Sequence, residues 1–569
     1  MFYNPICYSW YKSINMLLCI FGLHILYIKL EDIMLYYELV FGMLFLPLII
    51  IIYQIFPKRF RWVFLLIASV GYYFSFSIKL FIFMLLASTI TYVTGLLLEK
   101  MSKDKKAALN LLKTEKKDVT KEDKANVKLK FQRRSRIILV VGIILALSSL
   151  LYLKYYNFFA ENINAIANAS TGASLLPAKE LALPLGISFY TMQAISYMAD
   201  VYWGKFEAQR NPFKLLLFLC FFPTIIEGPI ALYADMKDKL YVGESIDPDN
   251  VIRGYTRFVW GVSKKLVIAD RLHPAVLYLF DPANKTKGLE VIVAAVLFTV
   301  MEYMDFSGCM DMVIGIAMIF GIKLPENFRQ PFLARNASEF WRRWHITLGV
   351  WFKTYIFYPV SMSKLSKSWG KFSRGKVNKH LTRVVASAIA LLPVWLCNGL
   401  WHGPKWTYIF YGVFYFVVLL LEQIFEPLGD TILKLLHTSK ENKVVNAIRI
   451  FKTWIIIFAG ELFFQADSLR EGFRMVRDIG KGFNLSNLWN GTALSWGLDK
   501  YDWLVVLVTL IIVGIVNVIR EKGVDITEAL LRKPLPVRWA LILSLLLVLT
   551  IFGCYGPGFE EVDLIYANF

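Results

Sequence analysis

The stretch LTRVVASAIALLPVWLCNGLWHGPKWTYIFYGVFYFVVLLLE, residues 381–422, indicates the fold class. Two strongly apolar runs, near 381–400 and 406–425, are joined by the short polar break HGPK. Each run has about twenty residues, the length that an α-helix needs to cross the hydrocarbon core of a bilayer. Comparable runs recur near residues 39–56, 62–78, 80–98, 137–153, 184–203, 214–232, 252–270, 289–320, 346–360, 453–466, 502–519 and 537–554. We predict an all-α, polytopic transmembrane helical bundle with about 11–14 membrane segments, some of them re-entrant or interfacial.

Composition and charge exclude two broad classes of protein. The chain is 57% hydrophobic with a mean hydropathy of +0.51, whereas soluble domains have roughly 45–50% apolar residues. Its net charge of +20 lies in loops between apolar runs and not along one polar face. The positive-inside rule accounts for this pattern, so we expect no nucleic-acid partner. The same rule places a basic loop at about residues 100–136, either flexible or helical, in the cytoplasm and the tail after Cys554 outside it.

The chain is predicted to hold a single membrane domain, residues 34–569. Residues 1–33 form an N-terminal extension, which is either an extra membrane segment or the result of a misassigned start, with Met34 as the true first residue. The six cysteines show no CxxC or metal-finger spacing. We therefore expect no bound metal.

Two of the six histidines lie in apolar, aromatic sequence. His402 occupies the Gly-Pro break between two hydrophobic runs, and an ionisable group at membrane depth is costly enough to suggest a function. His345 lies in EFWRRWHITLGVWF, residues 339–352, where Arg342 and Trp344 contribute to a basic, aromatic face. An interfacial histidine hydrogen-bonded in a turn would explain His402 without catalysis, and a position at headgroup level would explain His345. A neutral imidazole can take a proton from a hydroxyl, which favours general-base chemistry.

A third polar cluster contains Glu302, Asp305, Ser307 and Asp311 within a long apolar stretch. Six residues turn a helix through about 600°, so Asp305 and Asp311 do not share a helix face. We expect them to orient a histidine, to pair with Arg329 and Arg335, or to cap helices at the interface. The sequence contains no GxSxG, HExxH, GxxxxGK[ST] or GxGxxG motif, so common hydrolase, zinc and nucleotide-binding chemistries find no support.

Six longer motifs occur in order: LPLGISFYTMQAISYMADVYWG (183–204), FFPTIIEGPI (221–230), MDFSGCMDMVIGIAMIFGIKLPENF (304–328), EFWRRWHITLGVWFKTYIFYPV (339–360), NGLWHGPKWTYIFYG (398–412) and ELFFQADSLREGFRMV (461–476). With these motifs the chain, from about Met34 onward, resembles membrane-bound O-acyltransferase (MBOAT) proteins of the bacterial alginate O-acetyltransferase group. Teichoic-acid D-alanyltransferases are more distant relatives of that group. The resemblance implies an MBOAT-type bundle around a funnel, in which a cytoplasmic acyl donor and an acceptor at the outer face reach one buried site.

The resemblance also implies roles for individual residues. His402 matches the catalytic histidine of the family and His345 its second histidine. We expect substrate-binding roles for polar and aromatic residues near these positions, namely Trp401, Asn398, Trp344, Arg342, Asp305 and Ser307.

The implied reaction is transfer of an acyl group, which we expect to be acetyl, from a thioester donor such as acetyl-CoA or an acyl carrier. No bound cofactor is expected. The acceptor would be a hydroxyl of an extracytoplasmic cell-envelope polysaccharide, reached directly or through an SGNH-type partner protein. The chain would then be a multi-pass protein of the bacterial plasma membrane. D-alanyl transfer to teichoic acid and, in a different class, a glycan flippase or exporter remain alternatives.

Overall fold

The computed structural model describes residues 35–38, 40–115, 118–172, 174–556, 559 and 562–564. Helices dominate these ranges, and no strand occurs in them. The prediction of an all-α fold is therefore confirmed. The predicted N-terminal extension, residues 1–33, lies outside the described residues.

The described residues of the first half of the chain form ten α-helices, the last of which is the central helix α10. A π-helical turn, Phe41–Phe45, leads into the first of them, and a second, Lys264–Ala269, joins α8 to α9. The helices are α1 Leu46–Ile55, α2 Arg61–Phe76, α3 Phe81–Glu115, α4 Lys121–Thr171, α5 Ile187–Trp203, α6 Pro212–Cys220, α7 Tyr233–Leu240, α8 Pro248–Ser263, α9 Asp270–Phe280 and α10 Leu289–Ile319.

The second half begins with short helices and continues with long ones. The predicted segment at 346–360 consists of α12, a π-helical turn at Lys353–Phe357, and α13. The helices are α11 Ala337–Phe340, α12 Ile346–Phe352, α13 Tyr358–Ser361, α14 Lys364–Phe372, α15 Lys379–His402, α16 Trp406–Leu435, α17 Lys443–Gln465, α18 Leu469–Asp478, α19 Lys500–Glu521, α20 Ile526–Leu531 and α21 Leu535–Phe552.

The basic segment at about 100–136, for which a flexible and a helical form were both open, is mostly helical. Helix α3 continues to Glu115, and α4 begins at Lys121 behind a capping box formed by Thr120 and Asp123. With 35 and 51 residues at about 1.5 Å per residue, both helices are longer than a bilayer core of about 30 Å. The two helices therefore extend beyond the membrane as a hairpin. Its cytoplasmic location stays a prediction.

Six helices in the described part of the chain are long and apolar enough to cross a membrane, namely α3, α4, α15, α16, α19 and α21. Several other apolar segments are shorter or buried inside the protein. Helix α5 has 17 residues, and nearly all of them are buried. Hydropathy alone does not separate such internal helices from spanning ones, because both are predominantly apolar.

Helix α10 lies at the centre of the bundle and packs closely against α8. Glycines of both helices permit this approach. A methyl group on Gly254 would lie 2.6 Å from the carbonyl oxygen of Gly315, and one on Gly261 would lie 2.4 Å from that of Gly308. Close helix packing through small residues is typical of membrane bundles. It brings the polar residues of α10 against cationic residues that follow α8.

Candidate active site

His402 is the last residue of α15 and is buried, with 3% of its surface exposed. Aromatic rings surround the imidazole. Its ring centroid lies 5.0 Å from that of Trp401, 5.0 Å from Phe464 and 5.8 Å from Tyr411. Helix α15 delivers the imidazole to this position because the chain turns immediately afterwards, at Gly403 and Pro404, before α16 begins.

His345 is equally buried but stands just before α12 in a left-handed backbone conformation, with φ 45° and ψ 50°. This conformation costs a non-glycine residue about 1–3 kcal/mol and persists only where the surroundings enforce it. Asn327 supplies the restraint. Its backbone oxygen accepts from the Ile346 N–H at 2.9 Å, and its side-chain oxygen accepts from the N–H and the hydroxyl of Thr347 at 3.1 and 2.9 Å.

The same Asn327 side chain orients the His345 ring. Nδ1 of His345 lies 3.3 Å from Oδ1 of Asn327. Because that oxygen also accepts from the Thr347 backbone N–H, it is the amide oxygen, so the imidazole donates through Nδ1. In a neutral ring Nε2 is then the unprotonated nitrogen, the one able to accept a proton or a hydrogen bond. Asn327 lies in the motif 304–328 but was not among the predicted site residues.

The rings of both predicted histidines lie next to the indole ring of Trp401. The Trp401 ring centroid lies 5.4 Å from that of His345 and 5.0 Å from that of His402. Phe306 of α10 contacts His345 from another side, at 4.7 Å between centroids. The structure thus brings together two histidines that are far apart in sequence, within a buried aromatic environment.

Asn398 lies one helical turn before His402 on α15 and is also buried. Residues four apart project from the same helix face, so the amide and the imidazole point toward the same region. The side-chain oxygen of Asn398 accepts no hydrogen bond from the described residues. A polar substrate group could use this acceptor.

Lys154 of α4 is a site residue that the sequence analysis missed. Its buried ammonium donates to the backbone oxygen of Trp401 at 2.9 Å and to the hydroxyl of Ser188 at 3.3 Å. The neighbouring Tyr155 hydroxyl donates to the backbone oxygen of Leu400. A cation near a helix C-terminus is favourable because the last carbonyl groups carry partial negative charge. The sequence does contain a signal for this site residue, because Lys154 stands at the end of an apolar run, in LYLKYYNFF, residues 151–159.

Two buried carboxyl groups lie near the aromatic surroundings of His402. The Tyr411 hydroxyl donates to Oε1 of Glu461 at 2.9 Å, and Glu302 lies next to the same carboxyl group. Both acids are almost completely buried. Tyr411 therefore connects the aromatic surroundings of His402 to a buried acidic pair on α17 and α10. Glu302 was part of the predicted polar cluster, whereas Glu461 was not singled out.

The expected pairing of Asp305 and Asp311 with Arg329 and Arg335 is wrong. Asp305 lies 2.7 Å from Nζ of Lys265, and Asp311 binds Arg257 at 2.8 Å and Lys264 at 2.7 Å. These aspartates face the cations because α10 packs on α8 and on the π-helical turn that follows it.

The contacts found for three other predicted binding residues are with groups other than the imidazoles. Ser307 accepts a hydrogen bond from Lys264 at 2.8 Å. Arg342 is exposed and donates to Ser338 at 2.7 Å. Trp344 is buried in an aromatic cluster with Tyr303, Phe328 and Phe340. Within the described residues, no group of three or more His, Cys, Asp and Glu side chains could hold a metal ion.

Fold and site together define a multi-pass helical membrane protein with a buried pair of histidines. The sequence matches the membrane-bound O-acyltransferase family over residues 208–375, which include His345. It is 30% identical over 436 residues to the "Probable alginate O-acetylase AlgI" of Azotobacter vinelandii, covering 77% of this chain and 76% of that protein.

Two further relatives have other acceptors in their names. The "Peptidoglycan O-acetyltransferase" of Helicobacter pylori is 30% identical over 60% of this chain and 64% of its own. The "Teichoic acid D-alanyltransferase" of Bacillus subtilis is 29% identical over 44% of this chain and 61% of its own. The chain belongs to the membrane-bound O-acyltransferase family, and it is an O-acyltransferase.

Proposed function

We propose that this enzyme transfers an acetyl group from a cytoplasmic thioester, such as acetyl-CoA or an acyl carrier, to hydroxyls of a cell-envelope polysaccharide outside the membrane. The observation that carries the proposal is the meeting of His402 and His345 on Trp401 in a buried environment. Relatives named as O-acetylases or O-acetyltransferases support acetyl as the acyl group.

His402 acts as the general base in this proposal. The accepting hydroxyl transfers its proton to the imidazole while its oxygen attacks the thioester carbonyl carbon. The carbon–sulfur bond then breaks, and the thiolate leaves and takes up the proton. His345, with its ring held by Asn327, orients the acceptor or the donor carbonyl through Nε2. Asn398 offers an acceptor for a substrate hydroxyl on the His402 side.

The hydroxyl that accepts the acetyl group belongs either to the polysaccharide or to the serine of an SGNH-type partner protein outside the membrane. A partner is attractive because this chain has no nucleophilic-serine motif of its own. The protein does not need a reactive serine when it only passes the acyl group across the membrane.

D-alanyl transfer to teichoic acid is the second candidate, because one of the relatives carries that name. The exporter alternative receives no support from the three relatives described above, each of which is named as an acyl-transferring enzyme.

The test uses the purified full-length chain in liposomes, with acetyl-CoA or a D-alanyl-loaded carrier protein supplied on one side. We expect acetyl ester to form from acetyl-CoA with the wild-type protein and not with His402→Ala. Ester formation only from the D-alanyl carrier would select the second candidate. A wild-type protein that needs an added SGNH-type protein would establish the relay, and one that acetylates polysaccharide alone would exclude it.

A further inference from the structure

A large apolar cavity lies away from the two histidines, between the outer helices α19 and α21 and the end of α8. Its volume is about 590 Å³. Side chains such as Ile512 and Val516 of α19 and Leu541 and Leu545 of α21 line it. Helix α21 has no buried residue, and in α19 only Val506 and Val513 are buried. Both helices are therefore exposed mainly to the bilayer, and the cavity lies between them.

One end of this cavity is strongly basic. Arg257, Lys264, Arg520 and Lys533 all line it. Arg257 is balanced by Asp311 and Glu326, and Lys264 is balanced by Asp311, through contacts of 2.6–2.8 Å. Arg520 and Lys533 form no salt bridge with any described residue. Two carboxylates, Asp311 and Glu326, thus face four cations, which leaves two positive charges in excess where a mainly apolar cavity ends.

The short helix α20 fixes the geometry of this basic end. It connects the C-terminal end of α19 to the start of α21, and Arg253 of α8 holds it through Glu528 at 2.7 Å. Arg520, at the end of α19, and Lys533, just before α21, consequently face the cavity from the two sides of the α19–α20–α21 connection. The opposite end, between the middle parts of α19 and α21, is lined mainly by apolar side chains, and the hydroxyls of Thr509 and Ser544 there donate to backbone oxygens of their own helices.

We propose that this cavity binds an anionic phospholipid, with its phosphate between Arg520 and Lys533 and an acyl chain between α19 and α21. A cavity with apolar walls among membrane-exposed helices suits a hydrocarbon chain, because lipid and not water surrounds it. Basic residues at the end of transmembrane helices attract anionic lipid headgroups. The two excess positive charges favour a phosphate with net negative charge over a zwitterionic headgroup.

The basic end of the cavity also lies close to Asn327, the residue that positions His345. A smaller polar pocket of about 30 Å³ shares Arg257, Lys264 and Arg520 with the cavity and is lined on another side by Asn327. Asn327 is the residue that holds the His345 loop. A bound headgroup would therefore lie next to the residues that surround Asn327.

The test is native mass spectrometry of the full-length protein with palmitoyl-oleoyl phosphatidylglycerol or phosphatidylcholine. We expect the wild type to retain phosphatidylglycerol in preference to phosphatidylcholine. The double variant Arg520→Gln, Lys533→Gln should bind it roughly thirtyfold more weakly, since each cation near the surface adds about one factor of five. The matched double variant Lys522→Gln, Arg532→Gln, which changes nearby cations that do not line the cavity, should bind like the wild type.

A second variant tests the apolar part separately from the charges. Leu545→Trp places a bulky ring in the cavity and should reduce phosphatidylglycerol binding while Arg520 and Lys533 stay in place. Thermal unfolding shows whether each variant is folded. Equal lipid binding by folded wild-type protein, the charge variant and Leu545→Trp would overturn the proposal.

The competing occupants give distinct results. Displacement of phosphatidylglycerol by coenzyme A would assign the basic end to the phosphates of the acyl donor and would refute a lipid site. A photoreactive phosphatidylglycerol should label peptides of α19 and α21. Labelling confined to other helices would likewise refute the site. None of these readouts depends on acyl transfer, so they are independent of the proposed function.

Discussion

His402 ends a helix of 24 residues, whereas His345 stands in a series of short turns and helices between Asn336 and Ser361. The first imidazole is positioned by helix packing and by aromatic rings. The second is positioned by hydrogen bonds that Asn327 accepts from residues following His345, whose backbone adopts an unfavourable conformation. Both regions deliver a buried imidazole to Trp401, but only the second depends on a few specific polar contacts.

This difference has consequences for mutation. Removing one aromatic neighbour of His402 leaves many other contacts that hold α15, because interiors are closely packed. Removing Asn327 takes away several hydrogen bonds of the His345 loop in one step. We therefore expect the two regions to respond differently to changes in the imidazole and to changes in its support.

The largest effect is expected for His402→Ala, which should reduce acyl transfer about 10²–10⁴-fold because general-base assistance is lost. His402→Gln should be as inactive, since an amide does not accept the proton. The measurement is the ester content of the envelope polysaccharide in cells. Protein level and the melting temperature after detergent extraction serve as controls. Near-normal ester content at equal protein level would refute the assignment of His402 as the base.

A smaller loss of acyl transfer is expected for His345→Ala, up to about 10²-fold, because this is the effect of misplacing a reacting group. His345→Asn should retain more stability than His345→Val, because asparagine tolerates the left-handed backbone and a β-branched residue does not. Melting temperatures of the three variants test the backbone effect, and ester content tests the role of the ring. Equal stability of the Asn and Val variants would contradict the argued strain.

The support of His345 is tested by Asn327→Ala, which should lower the free energy of unfolding by about 1–3 kcal/mol, because buried partners lose their hydrogen bonds. Activity should fall as well, since the ring is no longer held. Thr347→Val should have a smaller effect. It removes the hydroxyl that donates to Asn327 and accepts from the Ile230 N–H, but it leaves the His345 contact. Denaturant unfolding in detergent gives the energies, and a larger loss in the Thr347 variant would contradict this order.

The smallest effect is expected for the support of His402. Lys154→Met should lower the free energy of unfolding by about 1 kcal/mol, which is the order of the stabilisation that a cation provides at a helix C-terminus. Activity should decrease moderately, because α15 still holds His402 in place. Lys130→Met, a change at an exposed lysine of the same helix, is the matched control and should be neutral. Complete inactivation by Lys154→Met would instead indicate direct contact of the ammonium with a substrate.

Much of the fold class followed from local composition. Apolar runs such as those around residues 381–422 are a property of contiguous sequence, so the all-α membrane class and the break that holds His402 were predictable. The motif around His345 was likewise visible. The segment at about 100–136 was less predictable, because a polar, mixed-charge sequence can form either a loop or a helix. Its extension into two long helices was apparent only in the structure.

The sequence by itself determined the helical membrane character and the two histidines as candidates, because hydropathy and rare polar residues in apolar runs are local signals. Tertiary structure decided which groups meet. Lys154, Asn327 and Glu461 come from separate helices or loops, and their partners are distant in sequence. The same holds for Asp305 and Asp311, whose cationic partners depend on how α10 rotates and packs against α8. Contacts of this kind arise only when helices pack, which no single segment specifies.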